Sequence, residues 1–344
     1  MTQEQISQLQ QYLSKHHGAN SSLSTHVSWI ILCPEVVYKI PKAVRLPYLN
    51  FSTLQQRHLY CASEIELNSR LTQGVYLEVA PIWSLGQEVG IEDPPPGASV
   101  LDYAVKMKRL PQERLMWELL QRQKVTVHHI EALAEQIARF HLARKPVRRV
   151  PDIDQMEYAF ADLISVKPAV ATIINPMAAE QLDEWTALAS QFLHVHSSRI
   201  QERHQLGYYR EVHGDLHSEN IFLMEEPVVF DCIAFNEDFR RDDVLNELAF
   251  FCMDMDYHHQ APLGNRFLLN YLEAFPCLET EEDQQLFLYY KLYRANVRLK
   301  VNAIKWQQAD NPTERELLAK SVREYFWLMR SYAKMVFRFK VSHV

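Results

Sequence analysis

The sequence predicts an α+β fold of two lobes: a small antiparallel-sheet lobe at residues 1–109, then a larger, mostly helical lobe at 110–344. Three observations predict it. At 344 residues the chain exceeds what one small core usually organises. Apolar runs of strand length, punctuated by turn residues, mark much of the first 109 positions. From Pro111 onward the apolar spacing turns helical and stays so almost to the end.

After a helical opening, residues 26–32 and 36–40 read as two strands around the turn Cys33-Pro-Glu35, hence a hairpin. Residues 52–72 carry helical spacing, with Tyr60, Glu64, Leu67 and Leu71 on one face. Two more strands are expected at 75–85 and 100–109, joined by the turn-rich 90–97. In the second lobe, Ile130, Leu133, Ile137 and Phe140 mark an amphipathic helix that ends near the basic, proline-bearing 144–151. Another long helix is expected over 177–206. Residues 213–231 interrupt with a loop and two short apolar runs, and helices resume at 243–256, 262–274, 281–307 and 312–338.

Composition narrows the function classes. Hydrophobic residues at 47% and charged residues at 23% suit a soluble globular protein. A net charge of −7 argues against a nucleic-acid partner. No apolar run approaches the ~20 residues that span a bilayer, so no membrane partner is expected. Five scattered cysteines without a Cys-x-x-Cys pair, and an N-terminus unlike a signal peptide, point to a cytoplasmic protein with reduced thiols. None of the eight glycines belongs to a Walker A loop or a Gly-x-Gly-x-x-Gly loop. If a nucleotide binds, something other than a glycine-rich cradle holds its phosphates.

One segment carries chemistry. His213-Gly-Asp-Leu-His-Ser-Glu-Asn220 places Asp215 and Asn220 five positions apart on a turn, and Asp231 follows a Val-Val-Phe run. Phosphoryl transfer needs a carboxylate beside the attacking hydroxyl and oxygen ligands that hold magnesium against nucleotide phosphates. The pattern supplies these in order. Asp215 would accept the hydroxyl proton, and Asn220 and Asp231 would hold the metal. Any one of these residues alone reads as an ordinary turn polar. Together, with an apolar strand between Asn220 and Asp231, they read as a site.

This segment resembles the catalytic loop of the aminoglycoside phosphotransferase and choline kinase superfamily, relatives of the protein kinases. Within it the likeness is to an uncharacterised bacterial group of aminoglycoside-phosphotransferase-like proteins. It extends through Thr25-His-Val-Ser-Trp29, Tyr38-Lys-Ile40, Leu49-Asn-Phe-Ser-Thr-Leu54, Tyr103-Ala-Val-Lys-Met107 and Phe230-Asp-Cys-Ile-Ala-Phe-Asn236. Arg241-Asp-Asp-Val244, Glu247-Leu-Ala-Phe250 and Tyr293-Arg-Ala295 continue it, so it covers most of the chain. Some members of that group carry an additional P-loop kinase domain; none is expected in this chain.

The resemblance implies a protein-kinase-like two-lobed fold that binds ATP and magnesium in the cleft between its lobes. It implies transfer of the γ-phosphoryl group to a hydroxyl of a small molecule. It also implies a strand lysine paired with a helix glutamate. Glu66 has Arg70 four residues on, as a solvated pair would. Glu64 shares its face with apolar residues, where an unpaired charge costs on the order of several kcal/mol. The pair expected is therefore Lys39 with Glu64, and Lys42 is the rival lysine. Ser24 and Thr25 belong to the loop expected over the phosphates, and Met107 to the hinge expected to meet the adenine edge. Asp231-Cys-Ile stands where protein kinases have Asp-Phe-Gly, and loss of that glycine suggests a fixed aspartate. Asp243 and Glu247 match positions that anchor the catalytic loop in the family.

Other readings compete. His213 and His217 have zinc spacing for a helix, but Gly214 and Asp215 between them call for a turn, so His213 is expected to brace the loop. A metal-dependent phosphoesterase would need an upstream Asp-x-His and a downstream Gly-Asn-His, which the sequence lacks. A nucleotide-binding pseudokinase or regulatory module is the principal alternative. For the acceptor, Asp254, Asp256, Tyr257 and His258 suit a cation, whereas Lys291, Arg294 and Arg298 suit an anion; for both clusters a solvated helix face is the commoner reading.

Overall fold

The computed structural model describes residues 1–46 and 49–337. Residue 338, expected to end the last helix, lies outside the described residues. By contacts the chain divides into two units, Met1–Val125 with His213–Arg240, and Thr126–Val212 with the chain from Arg241 onward. The catalytic-loop segment therefore groups with the sheet.

The first unit opens with α1 (Gln3–His17), begun by a capping box in which Thr2 and Gln5 satisfy each other's backbone amides. There follow β1 (Ser21–Ser24), β2 (Ser28–Leu32), β3 (Val36–Pro41), a small pair β4 (Arg45–Leu46) and β5 (Leu49–Asn50), and α2 (Leu54–Asn68). Next come β6 (Tyr76–Leu85), β7 (Glu88–Ile91), β8 (Ser99–Lys108) and the short helix α3 (Met116–Gln121). Six strands form one antiparallel sheet in the order β1-β2-β3-β8-β6-β7. The expected hairpin is present, with Ile30 opposite Lys39. Strand alternation then assigns faces. Tyr38, Ile40 and Ala104 join Ile6, Leu9 and Leu13 of α1 in one core, whereas Val105 joins Cys61 of α2 in another. Lys39, between Tyr38 and Ile40, is thereby directed to the α2 side. Strands β1 and β7 were not expected: the Ser-rich β1 is exposed throughout and carries no alternation, and β7 falls in and beside the segment read as a turn.

The second unit begins with α4 (Val127–Leu142), α5 (Ile153–Ala161), α6 (Lys167–Ile173), α7 (Pro176–Val195), α8 (Ser197–Gln205) and β9 (Tyr209–Glu211). The chain then contributes the hairpin β10 (Ile221–Leu223) and β11 (Pro227–Val229) to the first unit. It returns through β12 (Arg241–Asp243), paired with β9, and ends in α9 (Val244–Tyr257), α10 (Ala261–Ala274), α11 (Glu281–Gln308) and α12 (Pro312–Phe337). The helix expected over 177–206 is two helices broken at His196, where the Ser197 hydroxyl donates to the His194 carbonyl (2.8 Å). No helix among the described residues is long and apolar enough to cross a membrane.

Charge as well as apolar packing holds the second unit together. Buried Arg203 grips Asp243 with two bonds (2.6 and 2.8 Å) and donates to Asp283 (2.6 Å), which Arg199 also holds in bidentate fashion (3.0 and 2.7 Å). Burial alone would raise the Asp283 carboxyl, but the bonds from Arg199 and Arg203 outweigh it and hold the group well below the usual carboxylate range. A group so depressed adds stability above the usual value of 3.8 and loses it as pH falls through the depressed one. Asp283→Asn is expected to cost about 3–5 kcal/mol at neutral pH, measured by urea unfolding. The gap to wild type should shrink below pH 3.8.

Candidate functional site

The site is built in the first unit from β3, α2, β6, the 213–220 loop and the β10–β11 hairpin. Helix α2 is seated on β8 by a buried ion pair between Arg57 and Asp102 (2.7 Å). Two turns further along, Glu64 is fully buried. Lys39 from β3 meets it there: Nζ donates to Glu64 Oε1 (2.7 Å) and to Asp231 Oδ1 (2.6 Å). Burial alone would lower the Lys39 ammonium, but Asp231 and Glu64 outweigh it and hold it well above its usual value. Burial pushes the Glu64 carboxyl up, with the Lys39 charge opposing. Lys39 rather than Lys42 is therefore the lysine that pairs with the helix glutamate.

Hairpin register brings the loop residues together. Ile221 lies opposite Val229, so Asn220 stands across from Phe230, whose amide donates to the Asn220 carbonyl (3.1 Å). The next residue is Asp231, at φ +60°, a left-handed conformation that a non-glycine residue adopts only when its surroundings enforce it. Here they do. The Asp231 amide donates to the Tyr76 hydroxyl (3.0 Å), the Cys232 amide to Asn68 Oδ1 (2.8 Å) and the Ile233 amide to the His213 carbonyl (3.2 Å). With Phe230, four successive amides are held by three elements: the 213–220 loop, β6 and α2. Asn68 and Tyr76 escaped the sequence reading. The signal for Asn68 was its position one turn after Glu64 on the same helix face; Tyr76 offered none.

The loop is braced as expected at His213. Its buried ring donates from Nε2 to the Phe230 carbonyl (2.9 Å) and accepts the Asp215 amide at Nδ1 (3.3 Å). Asn220 Nδ2 donates to both the backbone oxygen and Oδ2 of Asp215 (3.0 Å each). His217 adds a bond from Nε2 to the same Oδ2 (3.3 Å), since its Nδ1 accepts the Glu219 amide. Asp215 thus carries an oriented carboxylate that remains 38% exposed, and Asp231 is 45% exposed. Gly214 makes the turn possible. It sits at φ +86°, and a Cβ there would fall 2.7 Å from the Phe239 carbonyl oxygen. Gly214→Ala is expected to cost about 1–3 kcal/mol in thermal or chemical unfolding and to displace Asp215, lowering turnover as well.

Two side-chain oxygens here suit a divalent cation by donor type. Among the described residues, Asn220 Oδ1 and Asp231 Oδ2 accept no hydrogen bond, while the neighbouring atoms of both side chains are engaged. The described residues contain no cluster of three or more His, Cys, Asp or Glu placed to hold a metal. Magnesium does not require one, because it commonly takes one or two protein oxygens with phosphate and water completing the shell.

The remaining expected residues divide. Ser24 Oγ accepts from Lys42 Nζ (2.8 Å), which also reaches the Thr25 carbonyl and lies 4.1 Å from the Trp29 ring centroid. The Thr25 hydroxyl is committed within the turn: it accepts the Ser28 amide (2.9 Å) and donates to the Ser28 carbonyl (3.1 Å). Met107 lies one residue before the end of β8, opposite Val37 and Tyr76. Its side chain, like those of Leu110, Val228 and Phe230, is partly buried and packs against the cluster of Cys61, Val75, Tyr76 and Val105. Asp243 is held by Arg203, and Glu247 contacts His141 (2.7 Å). The two opposed substrate clues have partners inside the second unit. Lys291 pairs with Asp256, Arg294 bonds Asn246 (2.9 Å) and lies 3.4 Å from Asp242, and Arg298 bonds the Tyr325 hydroxyl (3.3 Å).

Comparisons with known proteins agree with this architecture. The chain is 27% identical over 290 residues to uncharacterised proteins of Mycobacterium tuberculosis and Mycobacterium bovis, covering 83% of this chain and 55% of theirs. It thus spans about half the length of the curated relatives it matches. Its fold is similar to a choline kinase from Cryptosporidium parvum (TM-score 0.56, 10% identity, covering 94% of this chain and 91% of that one). It is also similar to a glucosamine kinase in complex with glucosamine, ADP and inorganic phosphate (TM-score 0.52, 14% identity, 94% and 82%). A GDP complex of an aminoglycoside 2'-phosphotransferase aligns with a TM-score of 0.51 (13% identity, 95% and 97%). These likenesses establish a kinase-like α+β fold. The model of the phosphotransferase enzyme family matches residues 92–282, more than half of the chain, and the chain belongs to that family.

Proposed function

We propose that this chain transfers the γ-phosphoryl group of ATP to a hydroxyl of a small molecule. The observation that carries the reading is the convergence of Lys39, Asp231, Asn220 and Asp215, linked by side-chain and backbone bonds although they span nearly 200 positions of sequence. Asp215, oriented by Asn220 and His217, would accept the proton of the attacking hydroxyl. Lys39, kept charged by two carboxylates, would turn toward nucleotide phosphates. Asn220 Oδ1 and Asp231 Oδ2 would hold magnesium, which when bound neutralises charge on phosphate oxygens. The loop at Ser24 and Thr25 would lie over the phosphates, shaped by the Thr25 turn and tethered by Lys42. Met107, Leu110, Val228 and Phe230 would offer the base an apolar surface. The solved neighbours that hold GDP or ADP support nucleotide use.

An ATP-consumption screen against amino sugars, amino alcohols, sugars and sugar acids, with magnesium present, tests the proposal. Acceptor-dependent ADP release supports it. Tight ATP binding with neither basal nor acceptor-stimulated turnover would instead mark a nucleotide-binding module.

A further inference from the structure

The second unit holds a cleft of about 600 Å³ whose walls are dominated by cations. Arg144, Lys145, Arg148 and Arg149 come from one six-residue stretch without an acid, and Arg241 adds a fifth positive charge from β12. Glu211 is the one acid in the lining. Such a concentration is out of character for a chain of net charge −7. Like charges this close repel one another unless something offsets them.

A flexible, solvated basic run would relieve that repulsion by moving apart. This one is fastened. Pro146 restricts its own φ, the Val147 amide donates to the Tyr209 carbonyl (2.9 Å), and His204 Nε2 donates to the Val147 carbonyl (2.9 Å). Arg210 Nη1 clamps the carbonyls of His141 (2.9 Å), Leu142 (3.2 Å) and Arg144 (2.7 Å), closing the end of α4. The β9–β12 pair, with Glu211 opposite Arg241, supplies the remaining wall. On this fixed frame Lys145 and Arg148 are exposed and make no side-chain bond among the described residues. The Arg144 guanidinium lies over the Phe140 ring, and its Nε is buried without a partner.

We infer that this cleft binds a small ligand bearing two or more phosphate groups. Guanidinium forks match phosphate oxygens two at a time, and four arginines line this cleft. The volume suits a compact ligand. A nucleic-acid strand would have to track positive charge well beyond the cleft, across a surface that is acidic on balance. The site is independent of the phosphotransfer reading, since none of its lining residues takes part in that chemistry.

The test is calorimetric titration of the full chain with inorganic tripolyphosphate, without magnesium, at low and high salt. Binding should weaken as salt rises. The double variant K145E/R148E should lose affinity by on the order of 10- to 100-fold, and K145Q/R148Q by less. Both should keep wild-type unfolding temperatures and ATP turnover. No binding by wild type at millimolar tripolyphosphate would overturn the inference. So would unchanged affinity in the charge-reversal variant, which would place the ligand elsewhere. Tighter binding to single-stranded RNA or to anionic phospholipid vesicles than to tripolyphosphate would also overturn it, because the cleft would then serve a macromolecular surface.

Discussion

Asp215→Ala protein is expected to turn over about 10²–10⁴-fold more slowly than wild type, the usual scale for loss of a general base, while binding nucleotide nearly as well. The asymmetry follows from the contacts. Asp215 receives bonds from Asn220 and His217 on Oδ2, and neither donor reaches the Lys39–Glu64–Asp231 group through it. Removing the carboxylate therefore leaves the ion pairs of Lys39 intact. The loop's frame also survives, because it rests on His213 and on Gly214. Initial-rate kinetics with an active acceptor, alongside nucleotide titration, separate the two effects. Wild-type turnover in folded Asp215→Ala protein would remove the base assignment.

Lys39→Met is expected to be costly in a different currency. It leaves Glu64 buried with no cation, and breaking a buried pair in this way destabilises by about 3–5 kcal/mol. Glu64 can escape only by taking a proton. Burial already pushes its carboxyl above the usual 4.5, so the folded form binds that proton more readily than the unfolded chain. The stability of the variant should therefore fall as pH rises above 4.5. Adding Glu64→Leu removes the stranded charge and should restore most of the stability without restoring activity. Urea unfolding across pH for the single and double variants checks this. A single variant with the wild-type midpoint would mean that the ion pair adds nothing in solution.

How much of this was legible in the sequence depended on how local each signal is. The loop around Asp215 and Asn220 could be read because its residue types and spacing lie within eight positions, and Asp231 because a short apolar strand ends just before it. The choice of Glu64 over Glu66 came from helix periodicity, since a carboxylate on an apolar face needs a cation. The partners that fix Asp231 were harder. Asn68 is buried at 164 positions from Cys232, and Tyr76 reaches the Asp231 amide from β6. A polar residue at a buried helix position looks like surface until its distant partner is known. Strands β1 and β7 lack the alternation that marks a strand, and a break such as that at His196 carries no proline or glycine. The charged residues first weighed as substrate contacts or as a solvated helix face show a related effect. Opposite charges on separate helices look available until packing brings them together, as Lys291 and Asp256 are.

The claim on which the rest depends is that Asn220 and Asp231 present oxygens to one divalent cation beside Lys39. The direct measurement is calorimetric titration of a non-hydrolysable ATP analogue into wild type and Asp231→Asn, each with and without magnesium. Magnesium should tighten binding to the wild type and have little effect on Asp231→Asn, while both bind comparably in its absence. Equal dependence on magnesium in the two proteins would contradict the account.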